Sequence, residues 1–354
     1  MKNWIRPEIA ALSAYHVPAP GDWIKLDAME NPYQWPEELQ QEWLKSLPDA
    51  EINRYPDPAA RELVAELHKV MEVPEGFEIV LGNGSDELIQ LLMMTVAKPG
   101  RTILAPEPTF VMYKMIAQFV GMEFVGVPLD VDFELDLDAM VAAIEQHQPA
   151  VVFLAYPNNP TGNLFDRAAI EKILSMAPGF VVVDEAYHVF AEESFMGALP
   201  HYENLLVMRT VSKMGLAGLR LGLMAGAAHW INEVNKVRLP YNINVLTQHA
   251  ATFILRHAEV LEVQAAILRS EREQLLQQLS LLKGVVKVYP SKANFVLIRV
   301  ADGSADRLFE ALKEGGVLIK NLSPAGGVLA DCLRVTVRTP QENHQLMDAL
   351  RTRL

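Results

Sequence analysis

Between Glu78 and about Leu223 the chain is built from short apolar runs, each closed by turn residues and followed by a helical pattern. The runs occupy 79–81, 102–105, 124–127, 151–155, 180–183 and 205–208. Each is too short for a buried helix, and each is apolar at nearly every position rather than at alternate ones, as in a strand covered on both faces. Strands of this kind alternating with helices predict an α/β fold, a mostly parallel sheet with helices on both sides. In such sheets ligands bind beyond the carboxyl ends of the strands. The unusual polar residues of this chain fall at those ends.

With 354 residues there is room for a second domain. From Tyr241 to Lys283 there is neither glycine nor proline and apolar residues recur at helical spacing, predicting one or two long helices that cross between domains. Gly284 stops the pattern. A strand over 294–300, a helix over 305–314, strands over 317–320 and 332–337 and a helix from Pro340 then predict a smaller α+β domain. The expected division is a 1–45 arm that packs on the small domain or reaches a partner subunit, a large domain over 46–245, an interdomain helix over 246–283 and a small domain over 284–354.

Lys213 and Arg220 share a glycine-punctuated turn after the run 205–208. A lysine at the mouth of a buried strand can be desolvated, which lowers its amine pKa from about 10.4 toward neutrality. It then becomes a nucleophile able to form a Schiff base with an aldehyde. Arg220 can hold a dianion beside it through paired hydrogen bonds. An aldehyde carrying a phosphate describes pyridoxal phosphate; the alternative is a solvated lysine and arginine beside a loop.

Three further segments bear on that choice. Gly82 to Glu87 sets two glycines before a helix start, where Ser85 or Asp86 can cap and free N–H groups can hold a phosphate; such starts are also common without a ligand. Tyr156 to Gly162 frames Asn158 and Asn159 with prolines, fixing either amide for a phenolate oxygen or simply shaping a turn. Asp184 ends the apolar run 180–183, where a carboxylate is costly unless paired. A protonated pyridine nitrogen would serve; a magnesium ion or a general-base role is equally usual at such a place. Tyr187 follows three residues later.

In this order along the chain, Gly82 to Glu87, Asn159, Asp184, Lys213 and Arg220 resemble the fold-type I pyridoxal-phosphate aminotransferases of the class I/II superfamily. Within it the histidinol-phosphate aminotransferases are the nearest resemblance, carried by residues 26–33, Arg54 to Pro58, the Asn158-Asn159 segment, Asp184 to Tyr187, 236–244 and the Arg334 segment. The resemblance implies a seven-stranded type of large-domain sheet and pyridoxal 5′-phosphate as cofactor. It implies that Lys213 is the Schiff-base lysine and proton carrier, that Asp184 pairs with the pyridinium nitrogen, and that Asn159 and Tyr187 bond the phenolic oxygen. Ser85, Asp86, Thr210, Ser212 and Arg220 would bind the phosphate. Tyr55 would reach it from the partner of a homodimer, and Tyr15, Asn31 and Arg334 would meet the substrate. Two departures stand out. Phe110 occupies the ring-stacking position where a tyrosine is usual, which keeps the stacking and loses a hydroxyl, and the spacing from Lys213 to Arg220 is one residue shorter than in some relatives.

The implied reaction passes an amino group from histidinol phosphate to 2-oxoglutarate. Aromatic amino acid transamination and threonine-phosphate decarboxylation are the alternatives within the same fold, and a non-enzymatic pyridoxal-binding regulator is the alternative outside it. A net charge of −13 with no basic run disfavours a nucleic-acid partner. No apolar stretch approaches membrane-spanning length, and the beginning of the chain lacks a secretory pattern, so a cytoplasmic protein is expected. The single cysteine, Cys332, reads as a buried strand residue, and the nine histidines show no metal-ligand spacing.

Overall fold

The computed structural model describes residues 4–14 and 21–354. Its strands in chain order are β1 (Ile24–Lys25), β2 (Phe77–Gly82), β3 (Thr102–Glu107), β4 (Glu123–Pro128), β5 (Val151–Ala155), β6 (Phe180–Asp184), β7 (Leu205–Thr210), β8 (Gly222–Ala227), β9 (Val285–Val288), β10 (Phe295–Val300), β11 (Val317–Leu318), β12 (Lys320–Asn321) and β13 (Cys332–Thr336). The large sheet has seven strands in the order β2-β8-β7-β6-β5-β3-β4. Only β8 runs against its neighbours.

The uniformly apolar runs are explained by two cores, one on each face of this sheet. Because successive side chains point to opposite faces, Val152, Leu154, Val181, Val183, Leu205 and Val207 enter one core, while Val151, Phe153, Val182, Leu206 and Met208 enter the other. Each position along β5 and β7 is buried.

The predicted long helical stretch is two helices, Val245–Leu255 and Ala258–Ser280, broken at Arg256 and His257. The first packs Ala251, Ile254 and Leu255 into the large-domain core. The second places Leu261 there and Leu268, Leu275 and Leu279 in the core of the smaller sheet. That sheet is antiparallel, in the order β12-β13-β10-β9.

Two expectations are corrected. The 317–320 stretch is two strands: β11 pairs in parallel with β1, whereas β12 joins β13. Strands β8 and β9 were not anticipated; the first is rich in glycine and alanine, and the second is four residues long, interrupted by Lys287 and nowhere fully buried, so neither carries a continuous bulky apolar run. Within the first 45 residues β1 joins β11, and the helix Glu37–Ser46 sends Leu39 into the large-domain core.

Candidate active site

A cavity of about 440 Å³ lies beyond the carboxyl ends of β5, β6 and β7. Ser85, Asp86, Phe110, Asn159, Asp184, Tyr187, Thr210, Ser212, Lys213 and Arg220 all line it. Residues separated by more than a hundred positions meet there because parallel strands deliver their ends to one edge of the sheet.

At one end the helix Ser85–Val96 begins after Gly84 with no side-chain cap. Neither Ser85 nor Asp86 caps it, contrary to the sequence expectation; both face the cavity, and the first-turn N–H groups keep their capacity for an anion. Arg220 approaches this helix start, with Nη2 at 3.6 Å from Asp86 Oδ2. Gly84 makes the approach possible, since a Cβ there would lie 2.6 Å from Arg220 Nη2 and its φ is +84°. Arg220 itself adopts a φ of 50°, a left-handed conformation uncommon for a long side chain and held by the tight turn between Lys213 and β8. Asp86 Oδ1 is buried with no hydrogen-bond partner among the described residues. Burial raises the Asp86 carboxyl, with Arg220 and Lys213 opposing the shift. Thr210 Oγ1 lies 2.8 Å from Ser212 Oγ, completing a hydroxyl pair on the same side.

At the other end Asp184 is buried at the tip of β6. Its Oδ2 accepts a 2.6 Å hydrogen bond from Tyr113 and its Oδ1 one of 3.1 Å from Ala186 N. Burial pushes its pKa up to about 6, against the pull of the Tyr113 bond. Sequence reasoning missed Tyr113, which sits among core residues of the helix Met112–Val120 and whose hydroxyl finds its partner only across the fold.

Between these ends Lys213 Nζ donates to the Ala28 carbonyl at 3.2 Å and lies 5.9 Å from the centre of the Tyr187 ring. Burial, then the charge of Arg334, lowers its pKa to about 8. Asn159 Nδ2 donates to Tyr187 OH at 3.2 Å, and Asn159 Oδ1 accepts from Arg334 at 2.5 Å. Asn158 is instead fixed inside the loop by Thr109, Pro108 and Thr161. Of the two asparagines, Asn159 is the one on the cavity.

Other predicted residues lie elsewhere. Asn31 does not line the cavity: its amide donates to Met214 O and Gln264 Oε1, and its Oδ1 accepts from Tyr33 N. Arg334 reaches the site through Asn159 and also bonds the Asp27 carbonyl. Tyr55 is 80% exposed and stacks on Tyr241 outside the cavity. Tyr15 lies outside the described residues. Sequence reasoning also missed Glu185, whose carboxylate is fully buried against Arg209 at 2.8 Å directly behind Asp184.

A family model described as aminotransferase class I and II matches residues 21–350. The chain belongs to that family. It is a pyridoxal-phosphate-dependent aminotransferase. It is 56% identical to histidinol-phosphate aminotransferase 2 of Nitrosococcus oceani, over 99% of this chain and 97% of that protein. It is 54% identical to histidinol-phosphate aminotransferase 1 of Ralstonia nicotianae, over 98% and 93%. The fold is that of histidinol-phosphate aminotransferase from Sinorhizobium meliloti in complex with pyridoxal-5′-phosphate, with a TM-score of 0.86 at 22% identity over 99% of this chain and 98% of that one. Among the described residues no helix is long and apolar enough to cross a membrane, and no group of side chains is arranged to hold a metal ion.

The donor set in the cavity suits the cofactor: an uncapped helix start with Arg220 and two hydroxyls at one end, a buried carboxylate at the other and a desolvated lysine between them. Phe110 supplies an apolar face.

Proposed function

We propose that this aminotransferase converts L-histidinol phosphate and 2-oxoglutarate into imidazole acetol phosphate and glutamate, a step of histidine biosynthesis, and that it works as a homodimer. The observation that carries the substrate assignment is the similarity, 48–56% identical over nearly the whole chain, to proteins named for that substrate. Its phosphorylated, membrane-impermeant reactants suit the cytoplasm.

In this reading Ser85, the Asp86 backbone N–H, Thr210, Ser212 and Arg220 hold the cofactor phosphate. Asp184 would pair with the ring nitrogen, Asn159 and Tyr187 would bond the phenolic oxygen, Phe110 would cover the ring face, and Lys213 would be the lysine that takes the aldehyde. When bound, the cofactor supplies a conjugated ring with a protonated nitrogen, an electron sink for the pair released as the substrate Cα–H bond breaks. Lys213 Nζ would take the proton from the substrate Cα and return it at the cofactor's C4′, two bonds away. Its pKa near 8 leaves a useful neutral fraction at physiological pH, whereas an ordinary lysine would be almost wholly charged. Arg334, held on β13 against Asn159 and the Asp27 carbonyl, provides the cationic end for a substrate phosphate or for the acceptor carboxylate. Tyr55 is exposed in one chain, so its role at the phosphate requires the partner subunit.

The test is a half-reaction titration of cofactor-loaded protein without any keto acid, adding histidinol phosphate, phenylalanine or threonine phosphate and following the visible cofactor absorbance. Bleaching at the lowest concentration with histidinol phosphate is expected. Bleaching with phenylalanine alone moves the protein to aromatic substrates. Carbon dioxide release from threonine phosphate, with the absorbance regained, makes it a decarboxylase like the 25%-identical L-threonine-O-3-phosphate decarboxylase of Porphyromonas gingivalis.

A further inference from the structure

Tyr113 is fully buried, yet it is a phenol where a phenylalanine would fill the same space. Its ring stacks on Phe153 at 4.5 Å and meets Phe110 edge-on at 5.6 Å. These contacts account for the ring and leave the oxygen unexplained. That oxygen makes one hydrogen bond among the described residues, the 2.6 Å bond to Asp184 Oδ2. The direction of the bond is fixed. Burial and the adjacent carboxylate hold the phenol far above its ordinary range, so Tyr113 is always the donor.

A carboxylate facing a pyridine nitrogen shares one proton with it, and the pair is useful as an electron sink only when that proton sits on nitrogen. Burial works in the wrong direction, because it favours the neutral acid. Asp86 and Glu185, the nearest other carboxylates, push the same way, although Glu185 is paired with Arg209. The groups that oppose this shift are the Tyr113 hydroxyl and the Ala186 N–H, one on each carboxylate oxygen.

We propose that Tyr113 is a positioning residue: its hydroxyl, donating to Asp184 Oδ2, holds Asp184 as the ionised partner and thereby keeps the shared proton on the cofactor ring nitrogen. The proposal rests on Asp184 being the ring-nitrogen partner.

The experiment uses holoenzyme loaded with cofactor labelled with ¹⁵N in the ring and reads the nitrogen chemical shift at fixed neutral pH, with no turnover. Tyr113→Phe should move the resonance toward the unprotonated value. Replacing Tyr113 with 3-fluorotyrosine, a stronger donor of nearly the same shape, should leave it at least as far toward the protonated value as in the parent protein. A general disturbance of the site would not displace the resonance in Tyr113→Phe while sparing the fluorinated protein. In steady state Tyr113→Phe should lower kcat about tenfold, the size expected from losing one hydrogen bond to a charged group, with KM little changed. A resonance unmoved by Tyr113→Phe overturns the proposal, and should that variant fail to load cofactor, a fluorotyrosine resonance displaced toward the unprotonated value overturns it equally. Asp184→Asn is the control. If it moves the resonance while Tyr113→Phe does not, only the role of Tyr113 falls; if Asp184→Asn also leaves it unmoved, the assignment of Asp184 falls with it.

Discussion

Replacing Lys213 by methionine should abolish transamination and at the same time stabilise the apoprotein. The amine is lowered from 10.5 to about 8, first by burial and then by Arg334. Below about pH 8 it is protonated in both the folded and the unfolded chain, and the folded chain bears the whole cost of a poorly solvated cation. That cost is at most ~3.4 kcal/mol, from ~2.5 pH units at ~1.36 kcal/mol each. Residual solvent contact reduces it, and methionine gives up the bond to the Ala28 carbonyl, so a net gain of about 1–2 kcal/mol at pH 7 remains. Between about pH 8 and 10.5 the folded parent releases its proton before the unfolded one does, its stability rises, and the gap to Lys213→Met should close. Thermal and guanidinium unfolding of both apoproteins at pH 7 and pH 9.5 measures this. A Lys213→Met protein less stable than its parent at pH 7, or a gap that does not narrow with pH, would refute the claim that Lys213 is strained by desolvation.

Gly84→Ala should weaken cofactor binding about 10- to 100-fold, because a methyl at that position displaces the Arg220 guanidinium from the place where it is proposed to meet the phosphate; equilibrium dialysis of the cofactor reads it. Arg209→Met leaves the Glu185 carboxylate buried without its charge partner and should cost about 3–5 kcal/mol of stability, visible as a lowered denaturant midpoint. Mixing Lys213→Ala protein with Tyr55→Phe protein should restore part of the activity by forming dimers with one site free of both substitutions; no recovery after subunit exchange removes support for a shared site.

The sequence carried the large-domain fold because burial on both faces leaves a direct mark, uninterrupted apolar runs such as 151–155 and 205–208, and parallel strands need helical crossovers between them. It carried the ends of those strands as well, since Asp184, Asn159 and Lys213 are polar residues where such runs stop. It did not reveal β8, whose glycine and alanine residues pack against their neighbours without forming a bulky run. Nor could it choose between Asn158 and Asn159: both are asparagines in one turn, and only the positions of Thr109 and Thr161 show that the first is consumed by the loop.

What the sequence by itself determined is the set of elements and the chemical types at their ends, because hydrophobic period and turn chemistry are local properties. The tertiary structure alone decided the partnerships: Tyr113 with Asp184, Arg209 with Glu185, Arg334 with Asn159 and Gly84 with Arg220. Each joins residues from different elements, and the first three join side chains more than 20 positions apart. The free energy of such a contact depends on burial and distance, which are properties of the assembled fold; no local pattern encodes them.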